Sequence, residues 1–549
     1  MSHDQIAIQR ALFSVSDKSG LVPLAQGMLE INPLLQIIST GGTANVLMAA
    51  KLPFVPLSEK TKSPEYFNGR IKTLHPAILG GILYRRGIDE KEALSLQIEP
   101  IDLIVCNLYP FEKASQDLKM EMSELVDSMD IGGSSLIRSG CKNFFSVAVV
   151  VDPADYPSIL EELAANRGTL SLKTRENLAV KAMQLSAAYE AFIASQFAKR
   201  LQKNDSLHLN LEGGRKLRYG ENPDQEGWVY SFQEQKGIAA SKVLMGKELS
   251  YNNYEDASQG FFAVQRLYQQ QGGNIAAIVK HGGLCGFATG PTIHDAFEMA
   301  WNGDTKSAFG SIVALTQPVD DDFRDGLKDR FIEMILAPSF TDSFVEWALA
   351  TRPSLRLLQI SLEEWTPMLY RTISGGLLVQ TPKKDLYSSL EQFFVPIEKD
   401  GEQPIGVATK RMPNPEQIGL FRFAIAAVQS VKSNAIVIAR EYSPGFYQLI
   451  GVGGGQPNRI DSMQKLACPK AIENLQKMVG EKKVEEALGQ AVLVSDGFFP
   501  FADAITLAAE YGIKTCLQPG GSIRDREVIQ AADQHDLCMI FTGQRYFNH

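Results

Sequence analysis

The chain has 549 residues, a formal net charge of −9, and 44% hydrophobic and 21% charged residues. Such a composition is typical of a folded protein with several domains and excludes a disordered chain. The acidic balance excludes a basic surface for nucleic acid or anionic membrane, and no apolar run approaches the ~18 residues of a membrane span. Six cysteines without C-x-x-C spacing, the lack of a signal peptide and scattered histidines predict a cytoplasmic protein with no catalytic metal.

The first region alternates apolar, strand-like runs with helical stretches. Strands are predicted at ALFSVS, LLQIIST, IDLIVCNLYPF and FFSVAVVVD, and helices at LVPLAQGMLE and TRENLAVKAMQLSAAYEAFIASQFAKRL. Alternation of this kind predicts an α/β domain with a mostly parallel sheet. The polar segment QKNDSLHLNLEGG follows, so we place the first domain at residues 1–200.

The second region, residues 201–549, is also predicted to be α/β. Its apolar runs end in small or polar residues at NIAAIVKHGG, SAFGSIVALTQPV, NAIVIARE and AVLVSDGFF. The segments EKDGEQPIG and TKRMPNPEQ predict a connector between two halves, near residues 398–417. The sequence shows no clear internal repeat and no low-complexity tract.

Two early loops lie where a predicted strand gives way to a predicted helix. They carry hydroxyls, a lysine and glycines: Ser14, Ser16 and Lys18 in the first, and Thr40, Gly41, Gly42 and Thr43 in the second. Helix N-termini offer free N–H groups and the positive end of a dipole, which suit a phosphate. The alternative for each loop is an ordinary turn with an N-cap, but two such loops favour phosphate binding.

Three further motifs of the first region carry polar groups beside predicted strands. GRIKTLHP contributes Arg70, Lys72 and Thr73, for which a solvated basic turn is the alternative. CNLYPF contributes Asn107 and Tyr109, and DIGGSSLIRSGCKN contributes Asp130 and Lys142. Asn107 and Tyr109 come just after a buried strand, and ligands of open parallel sheets bind beyond the carboxyl ends of the strands. A helix of about three turns could separate Asp130 from Lys142, with a capping aspartate and a surface lysine as the alternative.

The stretch VKHGGLCGFATG places Lys280 and His281 side by side, followed by small residues. The pair is either an acid–base pair at the edge of a pocket or part of a solvated turn. GVGGGQPNRID is a glycine-rich loop, and SDGFFPFAD places aromatic residues between two aspartates. Aromatic side chains flanked by carboxylates could hold a flat heterocycle, although core packing is the commoner use.

These motifs occur together in an order that resembles one family. The matching stretches are LFSVSDKSGL, STGGTA, GRIKTLHP, CNLYPF, DIGG, LRYGENP, VKH, SAFGSIVAL, VKSNAIV, SDGFFPFAD and PGGSIRD. The chain resembles the bifunctional purine-biosynthesis enzymes that join phosphoribosylaminoimidazolecarboxamide (AICAR) formyltransferase to inosine monophosphate (IMP) cyclohydrolase. The resemblance implies a methylglyoxal-synthase-like, doubly wound N-terminal domain followed by two cytidine-deaminase-like α/β subdomains without the deaminase zinc.

The resemblance assigns ring closure of formyl-AICAR to the first domain. The reaction is intramolecular, so binding mainly has to fix the conformer. It implies that Lys142 shuttles the proton, that Tyr109 and Asp130 orient and polarise, and that Lys72 completes the catalytic group. The residues expected to bind the nucleotide are Ser14, Ser16, Lys18, Thr40, Gly41, Gly42, Thr43, Arg70, Thr73, Cys106 and Asn107.

The resemblance assigns formyl transfer from 10-formyltetrahydrofolate, a cosubstrate, to the second region. The AICAR amine is conjugated into its ring and is a poor nucleophile, so a base and an oxyanion stabiliser are needed. His281 and Lys280 fit these roles, which of them is the formal base stays open, and Asn434 joins them.

The resemblance also implies the binding residues of this second reaction. Those expected at AICAR are Arg218, Tyr219, Gly310, Glu333 and Arg545, and those expected at the folate are Arg459, Ile460, Phe498, Asp503, Ser522 and Ile523. The family is similar in forming homodimers with the transferase site at the subunit interface.

The transferase half departs from the family pattern at two places. Gly283 and Leu284 stand where relatives carry Asn-Pro, and Ile425 and Ala426 stand where bacterial relatives carry Trp-Lys. A working bifunctional enzyme with a rebuilt turn is favoured. The alternatives are a cyclohydrolase with a weakened or redirected transferase, and a non-catalytic nucleotide sensor.

Overall fold

The structure is a computed structural model that describes residues 4–63, 66–67, 71–117, 119–203, 206–232, 236–363, 368–382, 387–397 and 405–549. The chain divides into two compact units, Met1–Asn210 and Leu211–His549. Part of the predicted connector, residues 398–404, lies outside the described residues. The remainder, residues 405–417, follows the strands of the first half of the second unit and precedes most of those of the second half.

The first unit alternates strands and helices along the chain. Its strands are β1 (Gln5–Ala7), β2 (Arg10–Ser14), β3 (Gln36–Ser39), β4 (Val55–Pro56), β5 (Leu103–Cys106), β6 (Ala148–Val150) and β7 (Thr169–Ser171). Its helices are α1 (Leu21–Ile31), α2 (Gly41–Ala49), α3 (Leu57–Thr61), α4 (Pro76–Leu83), α5 (Glu90–Ser95), α6 (Phe111–Ser115), α7 (Met122–Asp127), α8 (Ile131–Lys142), α9 (Tyr156–Ala165) and α10 (Leu172–Arg200).

The strands β4, β3, β2, β5 and β6 lie side by side in that order, and each neighbouring pair is parallel. Helices α1 and α9 pack on one face of this sheet, and α4, α8 and α10 pack on the other. Because both faces are covered, the central strands show runs of consecutive buried residues rather than an alternation of buried and exposed ones. This arrangement agrees with the mostly parallel sheet predicted from the sequence.

The second unit contains the strands and helices that follow Asn210. Its strands are β8 (Leu211–Lys216), β9 (Trp228–Phe232), β10 (Lys242–Met245), β11 (Asn274–Lys280), β12 (Gly283–Gly290), β13 (Ser311–Leu315), β14 (Ile332–Ala337), β15 (Arg356–Gln359), β16 (Leu369–Ile373), β17 (Gly376–Gln380), β18 (Gly406–Val407), β19 (Ile436–Ser443), β20 (Phe446–Gly453), β21 (Val492–Ser495), β22 (Thr515–Gln518) and β23 (Cys538–Phe541). Its helices are α11 (Tyr251–Gln271), α12 (Ile293–Asn302), α13 (Asp342–Thr351), α14 (Ile418–Val428), α15 (Arg459–Asp461), α16 (Cys468–Val479), α17 (Val484–Gln490), α18 (Asp503–Glu510) and α19 (Asp525–Gln534).

In the described part of this unit, a continuous sheet has the strand order β10-β15-β14-β13-β11-β12-β20-β19-β21-β22-β23-β18. The hairpin β11–β12 is followed by β13, β14 and β15, and the hairpin β19–β20 is followed by β21, β22 and β23. In each set the first hairpin strand pairs antiparallel with the second and with the next strand, and the last three strands are parallel.

The second unit is therefore a duplication of one topology, joined where β12 pairs antiparallel with β20. The sequence shows no clear repeat because strand order depends on the pattern of burial rather than on identical residues. The antiparallel pairing of β12 with β20 also determines which strand ends lie together. The start of β12, the end of β20, the start of β19 and the end of β21 all lie at one edge, which we call the site edge.

Candidate active sites

A cavity of about 510 Å³ lies at the carboxyl ends of β2, β3 and β5 in the first unit. This is the end of a parallel sheet where ligands bind. The sequence-predicted residues that line it are Ser14, Ser16, Lys18, Thr40, Gly42, Thr43, Lys72, Thr73, Asn107, Tyr109 and Asp130. Residues far apart in the chain are thus brought into one cavity by the sheet order.

The N-terminus of α2, with Thr40, Gly41 and Gly42, forms the part of the cavity suited to an anion, and we call it the anion floor. Thr40 is its N-cap residue and makes no side-chain cap hydrogen bond, and Thr40, Gly42 and Thr43 of this first turn line the cavity. A Cβ placed on Gly41 would lie 3.5 Å from the Lys72 ammonium, and one on Gly42 would lie 3.9 Å from that of Lys18. Two lysines therefore flank a helix N-terminus, an arrangement suited to a phosphate.

Two predicted binding residues have side chains that hold loops in place. The Thr43 hydroxyl accepts a hydrogen bond from the Val15 N–H and donates one to the Val15 carbonyl. The Asn107 amide oxygen accepts from the N–H groups of Ser16 and Asp17, at 2.6 and 2.9 Å. These side chains shape the cavity wall, a role that the sequence pattern did not indicate.

Another wall of the cavity is built by the start of α8. The Asp130 carboxylate caps this helix by accepting the Gly133 N–H at 2.6 Å. Burial raises the pKa of the Asp130 carboxyl, although hydrogen bonds from Gly133 and Tyr109 oppose the shift. The Cys106 side chain lies buried behind this wall, and its burial raises the pKa of the thiol. Cys106 therefore supports the site rather than lining the cavity.

The hydroxyl of Thr73 is buried at the cavity and has no hydrogen-bond partner among the described residues. A buried hydroxyl without a partner costs free energy, so it marks a place where a ligand atom would be stabilising. A Cβ on Gly132 would lie only 2.8 Å from this hydroxyl. A glycine at this position of the DIGG motif thus avoids a clash with the Thr73 hydroxyl.

Lys142, predicted to lie around the base, is not among the residues that line this cavity. Lys142 is the last residue of α8, and at about 1.5 Å per residue it lies about 16 Å from the start of that helix. It lines a separate open depression with Leu83, Arg138, Ser139, Cys141 and Met183. Arg70 lies outside the described residues.

In the second unit, the stretch around Lys280 and His281 is a tight hairpin turn. His281 and Gly282 join β11 to β12 and both have positive φ, 53° and 69°. A two-residue loop with this pattern is a type I′ turn. The Lys280 ammonium donates to the Phe309 carbonyl at 2.6 Å, and a Cβ on Gly310 would lie 3.9 Å from it. His281 is exposed at the tip.

The first turns of α11 tie the predicted AICAR-binding segments to this turn. Asn253 donates a hydrogen bond to Glu333 at 3.2 Å, and Asn252 donates to the Glu221 carbonyl in the loop that carries Arg218 and Tyr219. In that loop the Arg218 guanidinium donates to the Tyr219 hydroxyl at 2.8 Å and lies 4.6 Å from its ring centre. The same helix accepts the His281 N–H through Asp256. We call the group that these contacts join the first cluster: Lys280, His281, Gly310, Glu333, Arg218 and Tyr219.

Three predicted residues, Asn434, Arg459 and Arg545, lie in the other half of the unit, and we call them the second cluster. Its Asn434 amide donates to the Gln456 carbonyl at 2.9 Å. Arg459 forms an ion pair of 3.0 Å with Asp496, a carboxylate that is 0% exposed. The Arg459 and Arg545 guanidinium groups lie 5.5 and 5.3 Å from the ring centre of Phe547. These contacts bring Arg459, which is predicted to contact the folate, together with Arg545, which is predicted to contact AICAR, and leave Arg545 exposed.

The remaining residues predicted to contact the folate lie in the same half of the second unit. Ile460 packs against the core beneath the second cluster, and Phe498 is partly exposed just after β21. Asp503 begins α18 and accepts the Ala504 N–H at 2.8 Å. Ser522 and the fully exposed Ile523 follow β22. All of them follow strands that end at the site edge.

Both clusters thus share the site edge of one sheet. Strands in a sheet lie about 4.8 Å apart, so β11 and β19, three positions apart, are separated by about 14 Å. Lys280 at the end of β11 and Asn434 before β19 therefore do not touch within one chain.

The two departures from the family pattern lie in different elements, one at the start of β12 and the other in α14. Gly283 begins β12 directly after the turn, and Leu284 is 5% exposed and belongs to the hydrophobic core. Ile425 and Ala426 are fully buried in α14. All except Gly283 are therefore core positions, where an apolar side chain is compatible with the fold.

Sequence reasoning missed the polar residues of α11, namely Asn252, Asn253 and Asp256. The only sequence signal was SYNN, which is typical of a helix N-cap. Across the described residues, no group of three or more His, Cys, Asp or Glu side chains could hold a metal ion. In the same part of the chain, no helix is long and apolar enough to cross a membrane.

Comparison with known proteins gives consistent matches. A family model described as AICARFT/IMPCHase bienzyme matches residues 140–470, and a model described as MGS-like domain matches residues 20–135. The chain belongs to the AICARFT/IMPCHase bienzyme family. Family membership confirms the relationship predicted from the motifs, and with it an enzyme that combines AICAR formyltransferase and IMP cyclohydrolase activities in purine biosynthesis.

Similar proteins named bifunctional purine biosynthesis protein PurH match over the whole chain. The protein from Sorangium cellulosum is 40% identical over 99% of this chain and 100% of its own length. Those from Halalkalibacterium halodurans and Elusimicrobium minutum are each 39% identical, over 98% and 99% of this chain. The AICARFT/IMPCHase family thus accounts for both units, and the N-terminal unit is MGS-like.

Proposed function

We propose that the first unit closes the purine ring and that the second unit transfers the formyl group, so that the chain performs the last two steps of IMP synthesis. The observation that carries this division is the anion floor of the first cavity, where Lys18 and Lys72 flank the N-terminus of α2. The lysine–histidine turn that a formyl transfer needs lies instead in the other unit, on the site edge.

In the first cavity, the nucleotide phosphate would bind at the start of α2 and the base would face Asp130 and Tyr109. The carboxamide nitrogen attacks the formyl carbon, a C–N bond forms, and the formyl oxygen leaves as water. Holding both groups in one conformer supplies most of the acceleration. We assign proton transfer inside the cavity to Lys72 together with Asp130, because Lys142 lies at the far end of α8.

In the second unit, the AICAR amine attacks the formyl carbon of 10-formyltetrahydrofolate, and the folate nitrogen leaves. We assign proton removal from the amine to the exposed His281 imidazole. The Lys280 ammonium, held by the Phe309 carbonyl, would stabilise the negative charge that develops on the formyl oxygen. The first cluster then binds AICAR.

The second cluster would bind the folate cosubstrate, with Arg459 and Phe498 beside its ring system and Asn434 near the reacting carbon. The duplicated topology supports two subdomains of the cytidine-deaminase-like type. The enzyme would act in the cytoplasm, since its six free cysteines require reducing conditions to remain unpaired.

The separation of the two clusters supports a homodimer with the transferase site at the subunit interface. Within one chain the clusters lie about 14 Å apart along the site edge, so a partner subunit would bring a second cluster against the first. Sedimentation velocity of the full chain is expected to give the mass of a dimer. A monomeric chain with full transferase activity would contradict the shared site.

The wild-type chain tests the proposed function when it is supplied with two different substrates. AICAR plus 10-formyltetrahydrofolate is expected to release tetrahydrofolate and give IMP, and formyl-AICAR alone is expected to give IMP. Conversion of formyl-AICAR without tetrahydrofolate release would instead support a cyclohydrolase whose transferase is weakened or redirected. Binding without turnover of either substrate would support the sensor.

A further inference from the structure

One carboxylate on another element holds the backbone of the turn that carries His281. Asp256 on α11 accepts a hydrogen bond from the His281 N–H at 3.1 Å and another from the Gly282 N–H at 2.5 Å. Each carboxylate oxygen thus takes one N–H of the two-residue loop. Hydrogen bonds to an ionised acceptor are stronger than neutral ones, so this pair fixes the backbone of the turn.

The backbone of His281 needs such support. Its φ of 53° lies in the left-handed region, which is unfavourable for a residue with a Cβ. The residue is exposed, so packing of its side chain does not hold it there. The direction of its Cα–Cβ bond, and therefore the reach of the imidazole, follows from this backbone conformation.

The same helix also holds another part of the first cluster. Three residues before Asp256, Asn253 donates to Glu333, and it completes a capping box with Ser250 at the start of the helix. Helix α11 therefore fixes the positions of both Glu333 and the His281 turn. Active-site geometry built on a helix is more precise than geometry left to a loop.

We propose that Asp256 is a positioning residue for formyl transfer, acting through the imidazole of His281. The proposal rests on the function assigned above to the second unit. Without the carboxylate, the two N–H groups would turn to water and the loop would relax towards other turn types. A displacement of about 1 Å at a reacting group can lower a rate by about 10²-fold.

The test begins with Asp256→Asn, which keeps the shape of the side chain but offers an NH₂ group in place of one acceptor oxygen. We expect kcat for formyl transfer to fall by about 10- to 100-fold. The KM for AICAR should stay within about twofold, because the nucleotide contacts are unchanged. Ring closure of formyl-AICAR by the same preparation is expected to keep its wild-type rate. The matched control is Glu255→Gln, the neighbouring carboxylate on α11, which should leave both reactions unchanged.

A double-mutant cycle with His281→Ala separates positioning from a general structural role. The alanine variant retains the backbone N–H groups that Asp256 holds, so only the imidazole is lost. If Asp256 acts through that imidazole, Asp256→Asn has little further effect in the His281→Ala background. Equal fold-losses in both backgrounds, or a matching loss of ring closure, would overturn the proposal. A wild-type chain that fails to transfer formyl groups would instead overturn the function on which it rests.

Discussion

The Lys280→Met chain is expected to lose formyl transfer by about 10²–10³-fold, the typical effect of removing one stabiliser of a developing oxyanion. Methionine has a similar length and fills the space beside Gly310, but it carries no charge and donates no hydrogen bond. The Phe309 carbonyl loses the ammonium that it accepts from at 2.6 Å, and because it is a loop carbonyl, water can replace that donor. The defect should therefore lie in the chemistry of the site rather than in folding.

Two controls make this expectation specific. Ring closure of formyl-AICAR should continue at the wild-type rate, because Lys280 belongs to the second unit. Lys328→Met removes an exposed lysine of that unit and should leave both reactions unchanged. Wild-type formyl transfer by Lys280→Met would show that the lysine beside the turn has no part in the reaction.

Asp130→Asn is expected to lower ring closure by about 10²–10⁴-fold, the usual contribution of an acid–base group, and to spare formyl transfer. Asparagine is as good an N-cap as aspartate, so the start of α8 should keep its hydrogen bond to the Gly133 N–H. The loss then reports the missing carboxylate charge rather than a disrupted helix.

The pH dependence of ring closure gives the same prediction a second readout. Burial raises the pKa of Asp130, so its carboxyl takes up a proton at a higher pH than an ordinary aspartate does. Activity that needs the carboxylate should therefore fall on the acid side at a pH above the usual aspartate range, and this limb should be missing from Asp130→Asn. Asp152→Asn, at a capping aspartate of the same unit outside the cavity, is the matched control and should keep the wild-type profile.

The anion floor was predictable because the residues that form it are neighbours in the sequence. Thr40, Gly41 and Gly42 follow a buried strand, and a strand–glycine–helix order by itself places N–H groups at a carboxyl end. Lys72 joins them by tertiary packing. The GRIKTLHP motif indicated this lysine, and the family resemblance assigned it to the same site. The predicted α/β class and the parallel sheet of the first unit depended on the same local patterns.

The parts that sequence did not predict all depend on pairing between distant segments. Asp256 accepts a hydrogen bond from the His281 N–H, 25 positions along the chain, and nothing in the local pattern of α11 predicts this contact. The helix between Asp130 and Lys142 was foreseen, but only the structure shows that its length removes the lysine from the cavity. The duplicated strand order likewise appears only when hydrogen-bond partners are known.

A mixture of the two variants tests most directly whether each unit houses one activity. Lys280→Met and Asp130→Asn are each supplied with AICAR and 10-formyltetrahydrofolate, alone and mixed, and IMP is measured. Each variant alone should give little IMP, and the mixture should restore it, because formyl-AICAR made by one chain can be closed by the other. Failure of the mixture to make IMP, or full IMP synthesis by either variant alone, would contradict the assignment of the two reactions to separate units.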